Sequence, residues 1–361
     1  MNRTGQSTSV LNFALVGCGR IAKRHSELLG GGIVKGARLA AVCDIDDRKA
    51  ARIGAQFSVP HFTDMHAMMD KAQVDVAVVL TESGRHAEHV IELARHGKHI
   101  VVEKPMALTL DDADEMIRVC DAAGIKLFVV KQNRFNVPIV KLRESLEAGR
   151  FGKLVMGTVR VRWCRTQEYY DQAPWRGTWA LDGGVLSNQA SHHIDMLEWM
   201  MGDVDSVFAM SATALVRIEA EDTAIVALRF KSGALGLIEA TTATRPKDLE
   251  GSLSIIGEGG TVEVGGFAMN QMKVWNFVTP TAGDDEAMKR YSVNPPNVYG
   301  FGHQAYYEHV VDCIINDRRH LVDGLEGRKS LELISAIYES VETRREVPLR
   351  FRARHCRLGL K

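Results

Sequence analysis

Short apolar runs alternate with amphipathic stretches through the first third of the chain. Such runs predict strands that are buried on both faces, and the stretches between them have helical spacing. This alternation predicts a doubly wound parallel sheet of the Rossmann type, which binds ligands at the carboxyl ends of its strands. The predicted strands cover residues 12–16, 38–43, 74–80, 100–102 and 126–130, and the predicted helices begin near residues 22, 86 and 110.

Beyond residue 134 the pattern changes to strands that are separated by glycine-containing turns, as in antiparallel hairpins. We therefore expect an α/β protein in which residues 11–133 form a Rossmann domain and residues 134–361 form an α+β domain. The second domain is expected to have a large, mostly antiparallel open sheet, and residues 1–10 are expected to be a disordered polar tail. In the second domain the predicted strands are 154–163, 206–214, 223–230, 236–244, 251–256, 260–264 and 272–275, and the predicted helices are 137–148, 188–201, 303–315 and 327–343.

Composition narrows the possible functions of the chain. The 361 residues include 45 basic and 45 acidic side chains, so global charge gives no support to nucleic-acid or membrane-surface binding. No apolar run approaches the roughly 20 residues that span a bilayer. The six cysteines are scattered without a C-x-x-C pair, which argues against disulfides and structural zinc. We expect a cytoplasmic protein without a metal site.

A glycine-rich turn, G-C-G-R-I-A from residue 17, links the first predicted strand to the first predicted helix. Gly17 permits a tight turn, Gly19 permits close approach of a pyrophosphate, and Ala22 permits close helix–strand packing. Asp44 ends the second predicted strand, where a carboxylate accepts hydrogen bonds from ribose hydroxyls and repels a 2′-phosphate. The pattern predicts NAD as the cofactor, although a helix-capping role for Asp44 stays open.

The segment H-I-V-V-E-K-P, residues 99–105, places Glu103 and Lys104 where a buried strand leaves the sheet. Pro105 prevents the strand from continuing. A solvated pair of charges would also explain Glu103 and Lys104 on their own, but their position at the carboxyl edge favours a chemical role for Lys104.

A second polar segment covers residues 183–195 and begins with a Gly-Gly pair. We predict that its helix starts at Asn188, so that Asn188 and His192 share one helix face. His193 would then point elsewhere, which predicts a structural role for it and makes a metal pair with His192 unlikely.

These motifs together resemble those of the Gfo/Idh/MocA sugar and polyol oxidoreductases over nearly the whole chain. The resemblance implies that Lys104 is catalytic, together with the Asp and His of a D-x-G-x-H pattern. His192 matches that pattern, but Asn188 and Ala190 replace its Asp and Gly. Since Asn188 cannot exchange protons, acid–base chemistry would fall to His192 or Lys104, with Asn188 orienting a hydroxyl. The resemblance also implies that the second domain mediates assembly, and a homotetramer is expected.

One branch of this family, the UDP-N-acetylglucosaminuronate 3-dehydrogenases of O-antigen (lipopolysaccharide) sugar biosynthesis, is more similar still. The similarity lies in residues 131–136, 159–164, 169–184 and 188–193. It implies oxidation of the sugar C3 hydroxyl of a UDP-sugar substrate, with NADH re-oxidised by 2-oxoglutarate. The residues expected to contact NAD are Gly17, Gly19, Arg20, Ile21, Asp44, Thr81, Ser83, His86, Glu103, Lys104, Gln132 and Trp175.

A cluster of arginines and tyrosines fits an anionic nucleotide sugar. Arg160 and Arg162 alternate with apolar residues and so project from one strand face, where a diphosphate, a uronate or a neighbouring subunit are all possible partners. The expected substrate-binding residues are Lys104, Arg134, Arg160, Arg162, Arg165, Tyr169, Tyr170, Arg176, Asn188 and His192.

Two other functions stay open at this stage. A free-sugar or inositol dehydrogenase would not need Arg160, Arg162 or Tyr169. A non-catalytic NAD-binding regulator would not need Lys104 or His192, and both are present.

Overall fold

A computed structural model of the chain describes residues 10–266, 268–292, 300–350 and 356–359. All but one residue of the predicted tail lies outside these ranges. None of the helices within them combines the length and the apolarity needed to cross a membrane.

The first sheet has six parallel strands in the order β3-β2-β1-β4-β5-β6. The predicted Rossmann topology is therefore confirmed. All four residues of the β4 strand are buried, as the run of small and β-branched residues predicted. The strands are β1 (Leu11–Val16), β2 (Ala37–Cys43), β3 (His61–Phe62), β4 (Val76–Val79), β5 (His99–Val102) and β6 (Leu127–Val129).

Helices cover this sheet, and local hydrogen bonds define where several of them begin. The Thr109 side chain accepts from the backbone N–H of Asp112 and caps its helix, which starts where the sequence predicted. Two helices and the short β3 strand, between residues 47 and 71, were not predicted. The helices are α1 (Ala22–Gly30), α2 (Asp47–Phe57), α3 (Met65–Lys71), α4 (His86–Ala94) and α5 (Leu110–Ala122).

The second sheet has eight strands in the order β13-β12-β11-β7-β10-β9-β8-β14. Every pairing is antiparallel except that of β7 with β10, which confirms the predicted mostly antiparallel sheet. Its strands are β7 (Leu154–Arg162), β8 (Val204–Ala212), β9 (Thr223–Phe230), β10 (Leu235–Thr241), β11 (Glu250–Gly257), β12 (Gly260–Gly265), β13 (Gln271–Phe277) and β14 (Val347–Pro348).

Helices cover one face of this second sheet. A Cβ atom added at Gly157 of β7 would lie 2.6 Å from the Met201 side chain, so this glycine lets a helix pack directly on the strand. On the other face Phe208, Met210 and Ile225 are 41%, 61% and 50% exposed. The remaining helices are α6 (Val137–Glu147), α7 (Gln167–Asp171), α8 (Ser191–Met201), α9 (Asp284–Arg290), α10 (Gly302–Ile315) and α11 (Gly324–Thr343).

Helix α10 returns to the first sheet although it follows the second one in sequence. Its Tyr306 and Tyr307 are fully buried in the cluster that also contains Phe13 and Leu15 of β1. The Tyr307 ring packs edge-on against Phe13 with 5.6 Å between centroids. The predicted domain boundary at residue 134 stays a prediction. The core of the first sheet includes side chains that lie beyond residue 134 in the sequence.

Candidate active site

The glycine-rich turn leaves open space at the carboxyl edge of the first sheet. Gly17 has φ +100°, and a Cβ there would lie 2.8 Å from the Leu80 carbonyl oxygen. A Cβ at Gly19 would meet no atom within 4 Å. The Asp44 carboxylate accepts from the backbone N–H groups of Cys18 (2.7 Å) and Asp46 (2.9 Å), which ties the turn to the end of β2. The turn therefore fits a dinucleotide, with Arg20 and Ile21 at the start of α1.

His86 connects the ends of β4 and β5. Its ring is buried, with Nδ1 2.7 Å from the Pro105 carbonyl oxygen and Nε2 3.1 Å from that of Thr81. Burial lowers the pKa of this ring, although both carbonyls and Glu103 oppose the shift. A neutral ring donates to only one of these two carbonyls, and the contact of His86 with the cofactor stays a prediction. Thr81 and Ser83 lie at the same edge, and their contact with NAD stays a prediction.

Glu103 also lies inside the protein. Its carboxylate is 3.1 Å from His25 Nε2 and accepts from the backbone N–H of Lys104 at 2.9 Å. Burial raises the pKa of Glu103, but the hydrogen bond and charge of His25 together with the charges of His303 and Lys104 outweigh it and bring the pKa to about 2. His25 is held in turn by the Tyr307 hydroxyl, 2.5 Å from Nδ1. Glu103 thus holds the backbone of Lys104 in place, and its contact with the cofactor stays a prediction.

Lys104 reaches from β5 into the second domain. Its Nζ donates to the backbone oxygen of Asn188 at 2.8 Å. Burial lowers the pKa of Lys104, Glu103 and Asp182 oppose that shift, and Arg176 adds to it. The lysine keeps part of its surface exposed at the junction of the two domains.

Asn188 lies in a turn, since α8 begins only at Ser191. The prediction that Asn188 and His192 share a helix face is therefore wrong. The turn is held from outside by Glu221, which accepts from the backbone N–H of Leu186 at 2.9 Å. The two predicted residues still meet near Lys104, because that lysine bonds to Asn188 and lines a cavity of about 20 Å³ together with His192.

His192 has the environment of a neutral base. Its Nε2 lies 3.0 Å from the Gln132 side-chain nitrogen. Burial and the charge of Lys104 lower its pKa well below the ordinary value, although Glu103 and Asp195 oppose the shift. His193 is buried against the Trp163 ring, 5.7 Å between centroids, which agrees with the structural role predicted for it.

Sequence reasoning missed Asp182, which is 1% exposed and bonded to Asn188. The Asn188 Nδ2 donates to Asp182 Oδ1 at 2.5 Å, and the Gly177 N–H donates to Oδ2 at 2.8 Å. Burial raises the pKa of Asp182 to about 6, against the effects of these hydrogen bonds and of Lys104. The sequence feature that could have identified Asp182 is its position directly before the Gly-Gly pair.

Arg134 is not exposed to a substrate. It is 3% exposed, donates to both oxygens of Asp195 at 2.8 Å, and donates to Glu326 at 2.8 Å. Lys131 also bonds to Asp195 and, at 2.6 Å, to Ser330. The predicted substrate contact of Arg134 is corrected, because its guanidinium already has two carboxylate partners.

Arg160 and Arg162 lie on the sheet face that the helices leave open. Arg162 forms a two-pronged pair with Glu239 at 2.6 and 2.7 Å, and both arginines contact Glu250. Their neighbours Val159 and Val161 face the opposite side, toward α8. The sheet therefore separates these two arginines from His192, which corrects their predicted substrate role and favours the subunit-interface alternative.

Arg176 is the predicted arginine that acts on the catalytic residues, since its charge lowers the pKa values of Lys104 and Asp182. It donates to the Tyr169 hydroxyl at 2.7 Å and packs over the Trp175 ring at 4.6 Å. In the described part of the chain its Nε has no hydrogen-bond partner.

Arg165 and Tyr170, two further residues predicted to contact the substrate, lie in different surroundings. Arg165 pairs with Asp248 at 3.0 Å and lies 5.5 Å from the Tyr169 ring. Tyr170 is 4% exposed, and its hydroxyl bonds to Thr242, so its predicted contact with the substrate is corrected.

Comparison with known proteins identifies the arrangement. Residues 11–131 match the NAD-binding Rossmann fold of the Gfo/Idh/MocA oxidoreductases, and residues 143–349 match their C-terminal alpha/beta domain. The chain belongs to the Gfo/Idh/MocA oxidoreductase family. As a member of that family it is an NAD-dependent dehydrogenase of the kind that acts on sugars and polyols.

Three relatives are similar over nearly their whole length. The WlbA dehydrogenase of Bordetella pertussis, solved with NADH and UDP-GlcNAcA, is 43% identical, with a TM-score of 0.86 over 94% of this chain and 99% of that one. The Chromobacterium violaceum WlbA dehydrogenase, solved with the same ligands, is 42% identical, with a TM-score of 0.89 over 96% and 97%. The myo-inositol 2-dehydrogenase of Thermotoga maritima is 28% identical over 94% of this chain and 98% of its own length.

Proposed function

We propose that this Gfo/Idh/MocA member oxidises the C3 hydroxyl of UDP-N-acetylglucosaminuronate with NAD. The observation that carries the proposal is the likeness to two dehydrogenases solved with NADH and UDP-GlcNAcA, at 43% and 42% identity over nearly the whole chain. The site agrees with it, because Lys104, Asn188 and His192 lie together at the junction of the two domains.

The three side chains divide the chemistry between them. His192 takes the proton of the reacting hydroxyl, since its lowered pKa keeps the ring neutral near pH 7. The Lys104 ammonium stabilises the developing alkoxide. The Asn188 amide holds the substrate oxygen in place. NAD, when bound, supplies the hydride acceptor.

Lys104 and His192 exchange roles in an alternative form of this mechanism. Burial also lowers the pKa of Lys104, so a neutral amine could accept the proton instead. The pH dependence of the two single variants separates these assignments.

Arg176 is the group that we assign to an anionic part of the substrate, the uronate carboxylate or the diphosphate. Its Nε has no partner within the described residues, while its stacking on Trp175 and its bond to Tyr169 hold the guanidinium in place. Such a fixed cation explains how a neutral chain binds an anionic sugar.

A free-polyol dehydrogenase is the second candidate. It is favoured by the 28% identity to the Thermotoga maritima myo-inositol 2-dehydrogenase over 94% of this chain. This candidate predicts turnover of myo-inositol and an Arg176 variant that is as active as the unmodified protein.

We also propose 2-oxoglutarate as the acceptor that re-oxidises NADH, and a cytoplasmic homotetramer that takes part in lipopolysaccharide O-antigen sugar biosynthesis. The open sheet face with Phe208, Met210 and Ile225 supports assembly, since exposed apolar patches of this kind mark interaction surfaces.

One incubation tests the substrate and the acceptor together. The protein is mixed with UDP-N-acetylglucosaminuronate, NAD and 2-oxoglutarate, and the products are analysed by mass spectrometry. We expect a nucleotide sugar that is two hydrogens lighter, together with 2-hydroxyglutarate. No sugar product from protein that binds NAD, together with NADH formation from myo-inositol, would replace the first candidate with the second.

A further inference from the structure

Among the described residues, Asp182 is the carboxylate that bonds to a side chain of the group formed by Lys104, Asn188 and His192. Each of its two oxygens accepts one hydrogen bond, from Gly177 N–H at 2.8 Å and from Asn188 Nδ2 at 2.5 Å. The Asn188 backbone oxygen accepts from Lys104 Nζ at 2.8 Å. Asn188 thus lies between a buried carboxylate and the proposed catalytic ammonium.

We propose that Asp182 is a positioning residue for the dehydrogenase reaction, which acts through Asn188 and through its charge on Lys104. By accepting from Nδ2, it turns the Asn188 side-chain oxygen toward the cleft as an acceptor for a substrate O–H or N–H beside the reacting hydroxyl, whose own proton goes to His192. The inference rests on the proposed function, since it assigns Asn188 to holding the substrate of that reaction. Asp182 itself touches no substrate, because it is 1% exposed.

The surroundings of Asp182 leave its charge only partly compensated. Lys104 and Arg176 are the cations that act on it, and no ion pair with either is formed. Glu221 faces it from the start of β9, and Tyr170 faces it from α7. Glu221 is engaged by the Tyr338 hydroxyl at 3.0 Å. A carboxylate in this position is therefore sensitive to pH in a range where enzymes work.

The geometry makes a sharp prediction for Asp182→Asn. The Gly177 N–H cannot turn, so the new amide must present its oxygen to Gly177 and its nitrogen to Asn188. Two facing amide nitrogens cannot bond, and Asn188 must flip to offer its oxygen to residue 182. The Asn188 nitrogen then faces the cleft in place of the oxygen. The substitution keeps the shape of the site but inverts the polarity offered to the substrate.

The first experiment measures kcat and KM between pH 5 and 9 with UDP-N-acetylglucosaminuronate and NAD. For Asp182→Asn we expect kcat to fall roughly tenfold or more, because misplaced groups lose rate, with NAD affinity unchanged. We also expect loss of the acidic limb that titrates near the Asp182 pKa of about 6. Asp222→Asn is the matched control, since Asp222 is fully buried and accepts three backbone N–H groups away from Asn188.

The double variant D182N/N188D restores the hydrogen bond between positions 182 and 188 with donor and acceptor exchanged. The amide introduced at position 182 would donate to the carboxylate introduced at position 188, and the second oxygen of that carboxylate again faces the cleft as an acceptor. We expect kcat to recover several-fold over that of D182N, and this variant carries the test if D182N does not fold. Activity of D182N equal to that of the unmodified protein, or no recovery in the double variant, would overturn the proposal.

A second readout needs no substrate. Competitive acetylation with acetic anhydride, followed by mass spectrometry, gives the pH at which Lys104 becomes reactive. Since Asp182 raises the pKa of Lys104, its neutralisation in D182N should shift that pH downward, and D222N should not. An unshifted Lys104 overturns the inference. A shifted Lys104 in a protein that does not turn over the nucleotide sugar overturns only the proposed substrate.

Discussion

Two buried aspartates flank the proposed catalytic residues, and their surroundings are opposite. Asp195 accepts from Lys131 and from two nitrogens of Arg134, so that burial, which raises its pKa, is outweighed and the pKa falls well below the ordinary value. Asp182 accepts only from an amide and a backbone N–H, and its pKa rises to about 6. The same residue type is thus a fixed charge on one side and a titratable group on the other.

Because of this difference, we expect Asp195 to contribute mainly to the stability of the fold and Asp182 mainly to catalysis. A buried charge with full compensation holds α8, α11 and the end of β6 together, because losing either partner leaves the other uncompensated. A buried charge with partial compensation costs stability and persists where function needs it. We therefore expect variants around Asp195 to unfold and variants around Asp182 to lose turnover.

The largest expected effect comes from two lysines, one beside each aspartate: the partly exposed Lys104 and the buried Lys131. Lys104→Met should lower kcat by about 10²–10³-fold, the usual loss when a group that stabilises a developing oxyanion is removed, with NAD binding retained. Lys131→Met should keep kcat within a few-fold but lower the free energy of unfolding by about 3–5 kcal/mol, because a buried ion pair loses one partner. Steady-state kinetics and urea unfolding measure both. Equal effects of the two variants on kcat would contradict the assignment of a catalytic role to Lys104 and a structural role to Lys131.

The pH dependence of stability gives the next largest effect. Asp182 has a folded pKa of about 6, above its unfolded value, so the native state is stabilised as pH falls from 6 toward 4. Relative to D182N, the unmodified protein should gain about 2 kcal/mol between pH 7 and 4, since most of a shift of about two pKa units, at 1.36 kcal/mol each, is realised in this range.

Asp195 has a lowered folded pKa, so its contribution is present above the unfolded pKa and is lost as pH falls below it. Urea midpoints of D182N between pH 7 and 4, and of D195N between about pH 5 and 2, should therefore diverge from the unmodified protein in opposite directions as the pH falls. Parallel curves would contradict the assignment of opposite environments.

The smallest expected difference is the difference in KM between variants of two arginines, Arg176 and Arg162. Arg176→Ala should raise KM for UDP-N-acetylglucosaminuronate roughly tenfold, the loss of about one charged hydrogen bond, since Arg176 acts on the catalytic side. Arg162→Ala should change KM less than about twofold, because Arg162 pairs with Glu239 on the opposite sheet face. Initial rates at varied substrate concentration measure both, and size-exclusion chromatography of Arg162→Ala reports assembly. A larger change in KM for the Arg162 variant would indicate that the open sheet face does bind the substrate.

Much of the fold followed from local pattern. The β4 and β5 strands showed as buried apolar runs, and the α4 helix begins at His86 where the sequence predicted. Lys104 was found because a charged residue after such a strand has a defined place at the sheet edge.

The errors came from partners that are distant in sequence. Arg134 bonds to an aspartate 61 residues away, and Arg162 bonds to a glutamate 77 residues away. Asn188 was predicted to be helical, but Glu221, 35 residues from Leu186, holds the preceding turn in another conformation. Periodicity carries no information about such pairings, which depend on the packed second domain.

The return of α10 to the first sheet has a consequence for how this protein can be divided. The core beneath the glycine-rich turn is completed by Tyr306 and Tyr307, and the Tyr307 hydroxyl lies 2.5 Å from His25 in α1. A fragment cut after residue 133 would expose the surface that these two rings cover. The nucleotide-binding half is therefore not a transplantable module, and chimaeras built from relatives must carry α10 along with it.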